Sequence, residues 1–490
     1  MQNSQKRILS ILLPTFSRPK GHTIMRFSTK LSYGIGQMSD GIKHISFTVF
    51  LFFYYNQVLG LSGTLTGLGA MLALIVDAIT DPMIGQLSDR YKSKWGRRHP
   101  FMLAGGLSFG FAIAMLFSPP VNIDNHSLFF WMLGWAICTR LLLTLFFVPH
   151  LALGAEIVKD YHERTSLIGY RVFFASTGQL ITLIIGFFVF FPPPLGMLNA
   201  SGYATFGIFA GFLGSFVMLL STIMTKHTIP KLSVPKINNK TTHPLLGFVA
   251  VFFKLKHYSF RILFFATTLF MVIAGITQTL LIHVGTFLFN FEPQEMGILA
   301  TSMILGIIFA PSVAKKLSIT FDKKEALCIC VFLGAAIAFI PHDLFLLGIL
   351  QQLDLNTRLM CVYLSNGISQ AFFIAYIILI DSMLSDTIDE NEMNTGRREE
   401  GLYFSARSLA TKASYGLGSF FAGIGMDFID FPQNALPDEI STIMLNKLAI
   451  LAGPFSMILF LCTILITIKY PLNAMKHAKI RATIDDKNDE

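Results

Sequence analysis

Charge-free runs organise this chain. His44 to Val76 passes 33 residues without an Asp, Glu, Lys or Arg, and similar runs cover His99–Ile123, Val172–Thr225, Ile262–Phe291, Met296–Ala314, Leu359–Ile380 and Leu448–Ile468. A helix that crosses a bilayer needs roughly 20 apolar residues. Val172–Thr225 must therefore hold two, divided at Pro192, Pro193 and Pro194. The pattern predicts twelve spans, centred near residues 47, 75, 108, 141, 181, 214, 272, 305, 335, 370, 415 and 458. The fourth, ninth and eleventh are the weakest, because Arg140, Asp343, Arg407 and Lys412 sit in or beside them. Lining a polar cavity accounts for such residues.

Composition agrees. Of 490 residues, 53% are hydrophobic and 14% charged, against about 25% charged in a soluble domain; this is an integral membrane protein. The basic residues set its orientation. With residue 1 inside, the cytoplasmic segments carry 32 Lys and Arg and the outer loops two, Arg358 and Lys447. Both termini are then cytoplasmic, at a plasma (inner) membrane. The net charge of +9 reads as topology, with no support for nucleic-acid binding. The five cysteines fall in or near the spans and suggest neither a disulfide framework nor a metal site. The basic first 30 residues read as a cytoplasmic arm, with translation starting at Met1 or Met25. Their apolar patch, Ile8 to Leu13, stops at Pro14, too short for a cleaved signal peptide.

The polar, Pro- and Lys-rich stretch Lys226 to Pro244 reads as a linker. The expected organisation is an arm (1–30), a six-helix half (31–226), a cytoplasmic linker (227–258), a second six-helix half (259–470) and a cytoplasmic tail (471–490). The halves echo each other. "LGAEIVKDYHERTSLIGYRVFFAS" after the fourth span matches "LSDTIDENEMNTGRREEGLYFSAR" after the tenth in position and acidity. The fold class is all-α, a twelve-helix major facilitator arrangement of two pseudo-symmetric halves, with substrate held at their interface near the bilayer midplane.

The candidate chemistry lies in "DAITDPMIGQLSDRYKSKWGRRHP", residues 77 to 100. Asp77 and Asp81 are four apart, so on a helix they share a face about 6 Å apart. An ionised carboxylate at such depth costs at least ~2.5 to 3.5 kcal/mol. Two together repel, and a cation, a proton or a basic partner must join them. That behaviour suits a coupling-ion site, to which Asp40 of the first span adds a third oxygen ligand. The alternative places both at a helix end, paired with Arg90 or Lys92. Asp40 and Lys43, three apart, form a helix-face pair; Asp381 with Arg407 or Lys412 is a second candidate pair. His283 reads as a packing histidine.

The rest of the segment, Gly85, Asp89, Arg90, Gly96, Arg97 and Arg98, resembles the loop between the second and third spans of major facilitator proteins, lengthened here by Lys92 to Trp95. It would hold one conformation until the halves rock apart; the alternative is a simple positive-inside anchor.

"KLSYGIGQMSDG", "DAITDPMIG", "KWGRRHPF" and "TGRREEGLYFSARSLATK" resemble the glycoside-pentoside-hexuronide:cation symporters, the melibiose permease-like family of the major facilitator superfamily, from about residue 30 to 470. The resemblance implies cation-coupled sugar uptake by alternating access. Asp77 and Asp81 fall on the family's span-two acids, which the resemblance implies as sodium ligands, and Lys412 on its span-eleven lysine. The span-one acid is shifted by one, to Asp40. The span-four acid is replaced by Phe147, the aromatic sugar platform by Leu151, and the span-five arginine lies one position away, at Arg171. These departures fall on galactoside recognition and leave the cation pair in place. Asp40, His150, Arg171 and Lys412 are the expected substrate contacts, with Glu156 a further polar candidate.

Sugar–cation symport with Na+ or H+ is therefore the first expectation, by a monomer with no cofactor. A transporter of lipid-like or amphipathic solutes is the alternative, and a non-transporting sensor a third. No nucleophile–base arrangement, metal-ligand spacing or nucleotide loop suggests an enzyme.

Overall fold

The computed structural model describes residues 25–91, 93–158, 161–231, 256–397 and 399–489. Most of the expected arm and linker, and Lys92 of the loop, lie outside the described residues. Among the described residues the chain forms helices and no strand. We label α1 (27–58), α2 (Gly63–Arg90), α3 (His99–Leu116), α4 (Asn125–Ile157), α5 (Tyr161–Phe190) and α6 (Ala200–Thr225). After the linker come α7 (258–288), α8 (Pro293–Thr320), α9 (323–346), α10 (Leu355–Thr395), α11 (Glu400–Phe428), α12 (442–467) and a terminal α13 (Ala474–Asp489).

Nine helices among the described residues are long and apolar enough to cross a membrane, or ten if α9, bent by 40°, is one span. The sequence pattern predicts twelve. The remaining two segments have a physical reason to fall short. In α1 the ladder is interrupted by a 3-10 turn at Ile35–Gln37 and by π turns at Ser46–Phe50 and Tyr54–Val58, and α11 carries Arg407, Thr411, Lys412 and Ser414.

Helix starts follow capping chemistry. Ser62, Asp124, Asn199 and Asp354 accept from first-turn amides of α2, α4, α6 and α10. Hydrogen bonds from Ser127 and Thr357 hold the Asp124 and Asp354 carboxyls below their ordinary range.

The ends of the bundle differ. One, the basic end, bears the α2–α3 loop with Arg97 and Arg98. At the other, the two halves are sealed together. Asp427 of α11 accepts from Gly63 N at 2.8 Å and Thr64 N at 2.7 Å, satisfying first-turn amides of α2 from across the interface. Asn434 N donates to Gln57 O (3.0 Å), and His283 lies 3.3 Å from Asn56 Oδ1 with its ring against Phe53 and Phe287. It is a packing histidine, buried in the seal. The backbones of α2 and α11 touch, so a Cβ on Gly423 would collide with the carbonyl of Gly63, and one on Gly67 would sit 2.5 Å from Ser419 O. This packing continues toward the basic end as far as Leu74 and Gly416.

Asp427→Ala removes two charge-assisted hydrogen bonds, each worth about 1.5 to 3 kcal/mol. In a cysteine-free background with Gln57→Cys, we expect maleimide labelling to accelerate at least about tenfold when Asp427→Ala is added. Equal rates would show that the cap does not hold the seal.

Candidate functional site

Directly beneath the seal lies a cavity of about 220 Å³, walled by α1, α2 and α4 on one side and α11 on the other. Asp40, Lys43, Asp77, Asp81 and Arg140 reach it from the first half, Thr411, Tyr415 and Ser419 from the second.

The site is built by two facing helices, each presenting polar side chains four residues apart: Asp77 and Asp81 on α2, Arg140 and Thr144 on α4. Arg140 Nη1 lies 3.2 Å from Asp77 Oδ2, both side chains being largely buried, and its guanidinium sits 4.9 Å from the Phe47 ring centre. The Thr144 hydroxyl lies 2.8 Å from Asp77 Oδ1 and 2.9 Å from Asp81 Oδ1. A hydroxyl has one proton, so it can donate to only one of these oxygens at a time. The other close approach sets oxygen against oxygen, and a further proton or cation relieves it. Arg140 binds the opposite oxygen of Asp77. Asp77 Oδ1, Asp81 Oδ1 and Thr144 Oγ1 form a three-oxygen corner of the kind a hard cation accepts.

Among the other expected residues, Lys43 Nζ lies 3.2 Å from Asp40 Oδ1, and Arg407 Nε 2.6 Å from Asp381 Oδ1. The side chain of Lys412 lies outside the described ones; its neighbour Thr411 lines the cavity. His150 and Arg171 are not among the cavity's lining residues. His150 is fully buried, stacked on Tyr33 at 4.2 Å and donating from Nε2 to Tyr33 O at 2.9 Å, which ties α4 to α1. Arg171 Nε donates to Gln37 Oε1 at 3.3 Å, tying α5 to α1.

At the basic end, Arg98 joins three elements. It donates to Ser88 Oγ (2.7 Å), pairs with Asp89, and meets Glu156 at 2.9 Å, with Arg97 2.7 Å from the same Glu156 oxygen. Glu156 is thus engaged in this cluster, away from the cavity. Gly96 has φ +75°, a left-handed turn that a side chain strains. Gly85 lies on α2 facing Val148, and Arg90 is exposed at the end of α2. The second half repeats the device: Lys323, at the start of α9, lies 2.7 Å from Asp386 of α10.

Sequence reasoning missed Arg140 and Thr144 as partners of the acids. Their spacing of four on an otherwise apolar span was the available signal.

A helical bundle whose charged cavity lies between two sealed halves defines a secondary transporter of the major facilitator fold. Comparison narrows the class. The chain belongs to the MFS/sugar transport protein family, whose pattern matches residues 32–474. It is 25% identical to the uncharacterized symporter sll1374 of Synechocystis, over 93% of this chain and 96% of that one. It is 24% identical to the putative glycoside/cation symporter YagG of Escherichia coli, over 88% and 89%. The inward-open xylose transporter XylE from E. coli shares the fold, with a TM-score of 0.60 at 15% identity, over 91% of this chain and 97% of that one. The resemblance to cation symporters is borne out, and the family is one of transporters, not enzymes.

Arg140→Leu would leave Asp77 without its counter-charge. We expect a loss of roughly 3 to 5 kcal/mol, read as a lower melting temperature in detergent, with most of it recovered by adding Asp77→Asn. An unchanged melting temperature would show that Asp77 does not depend on Arg140.

Proposed function

We propose that this protein couples entry of a monovalent cation, Na+ or H+, to uptake of a sugar or glycoside, with Asp77 and Asp81 as the coupling carboxylates. One observation carries the reading: two carboxylate oxygens share the single proton of Thr144. A bound cation or an added proton removes the conflict, so occupancy of the corner changes the charge balance of the interface.

With the basic end cytoplasmic, as the 32 to two distribution of Lys and Arg favours, the seal faces outward and the cavity belongs to an inward-facing state. The cluster of Ser88, Asp89, Arg97, Arg98 and Glu156 braces the first half at its cytoplasmic end, and Arg90 and Gly96 shape the same loop. Asp40 lines the cavity and belongs to the ion site. Lys412 belongs to α11, whose Thr411 lines the same cavity. His150 and Arg171 act indirectly, by fixing α1 against α4 and α5. The name of the glycoside/cation symporter relative points the same way. An amphipathic solute is less well served, because five Asp, Lys and Arg side chains line this cavity.

Proteoliposome uptake with labelled xylose, glucose, galactose and melibiose, under Na+ or proton gradients, tests the proposal. Asp77→Asn and Asp81→Asn should each reduce gradient-driven accumulation by roughly 5- to 150-fold, the range of ordinary coupling free energies, while counterflow without a gradient persists. Undiminished accumulation in both variants would refute the assignment.

A further inference from the structure

A second cavity, also of about 220 Å³, opens between α5 of the first half and α7, α8, α9, α10 and α12 of the second. It shares no lining residue with the first, and its chemistry is the opposite. Among its described lining residues there is no Asp, Glu, Lys or Arg. The walls offer the rings of Phe289, Phe339 and Phe373 together with three side-chain amides, Gln278, Asn366 and Gln370.

The polar groups of this wall are underused. His342 Nδ1 is buried without a hydrogen-bond partner, and Gln278 Oε1 is buried with the His44 imidazole beside it. Leaving a buried polar atom unsatisfied is costly, so His342 favours a ligand or water that supplies a hydroxyl. His342 is held in place by ring contacts with Phe289 at 5.3 Å and Phe339 at 5.7 Å, on the second arm of the bent α9. Gln278 also faces the imidazole of His44, and His44 lines the first cavity. This pair of side chains thus touches both chambers.

We infer that this second cavity binds the sugar ring of a neutral glycoside, while the first handles the ion. An uncharged polyhydroxylated ring with apolar faces matches every feature of the wall: amides and imidazole for hydroxyls, aromatic faces for C–H groups. A carboxylate or phosphate on the ring finds no cation there and would be desolvated without compensation. The inference rests on the symport reading above. It moves the ring recognition expected of Asp40, His150, Arg171 and Lys412 to α7, α9 and α10, and names the substrate class as neutral sugars and glycosides, to the exclusion of hexuronides.

The test is counterflow in proteoliposomes with no ion gradient, using the same labelled sugars. If none exchanges in wild-type protein, the symport reading fails and with it this one. Given exchange, Gln278→Ala, Asn366→Ala and Gln370→Ala should each raise the KM roughly 3- to 10-fold, as expected for one lost neutral hydrogen bond, with Vmax retained. Retained Vmax certifies that the variants are folded. In wild-type protein, which requires no substitution, unlabelled glucose or galactose should compete at least about tenfold better than the corresponding hexuronic acid, since the uncompensated charge costs more than one such hydrogen bond. Unchanged KM in all three variants, or equal competition by the hexuronic acid, would overturn the assignment.

Discussion

Carboxylates inside a membrane protein must be neutralised, and the architecture follows from how that is done here. Asp77 and Asp81 stand on one face of α2, opposite Arg140 and Thr144 on α4. Arg140 pairs with one oxygen of Asp77, and the Thr144 hydroxyl stands between Asp77 and Asp81 where the two carboxyl groups meet. In the proposed reading a small cation joins them at that corner. Helices α1, α2 and α4 thereby form a charged wall, with α11 across the cavity.

The seal shows how such a local change reaches the whole bundle. Asp427 caps α2 from α11, and the helix that it caps is the one that carries Asp77 and Asp81. Along α2, the cap, the glycine contacts with α11 and the carboxylate pair follow one another over five helical turns. A helix packed this closely transmits displacement as a rigid rod, because interiors at crystal-like density yield little. The ion-pair clusters at the basic end, Arg98 with Glu156 and Lys323 with Asp386, brace each half internally, so the halves can part there while each stays intact.

Much of this was legible in the sequence, for identifiable reasons. Charge-free runs report membrane crossing directly, since the bilayer acts on composition, and the cost of a buried acid makes Asp77 and Asp81 conspicuous. Pairs set by helical spacing, such as Asp40 with Lys43, were also readable. What could not be read was the choice of partner between helices. Nothing local says that Arg140 meets Asp77, that Glu156 serves Arg97 and Arg98, or that His150 is buried against Tyr33. The crossing count stands on uneven ground for the same reason. Segment α11 is polar where it faces the cavity and α1 is broken by π turns, so length and apolarity alone support nine or ten spans. The second cavity was invisible because its lining comes from six helices and forms no motif.

In the proposed reading the two chambers divide the work, the charged groups of one serving the ion and the neutral hydrogen-bonding groups of the other a sugar, with His44 and Gln278 in contact between them. Joint movement of ion and sugar is the central claim, and it is tested most directly by adding transported sugar to unenergised proteoliposomes while recording external pH and Na+ with electrodes. The account predicts that sugar entry draws one of these cations inward with it. Sugar entry that moves neither ion would contradict it.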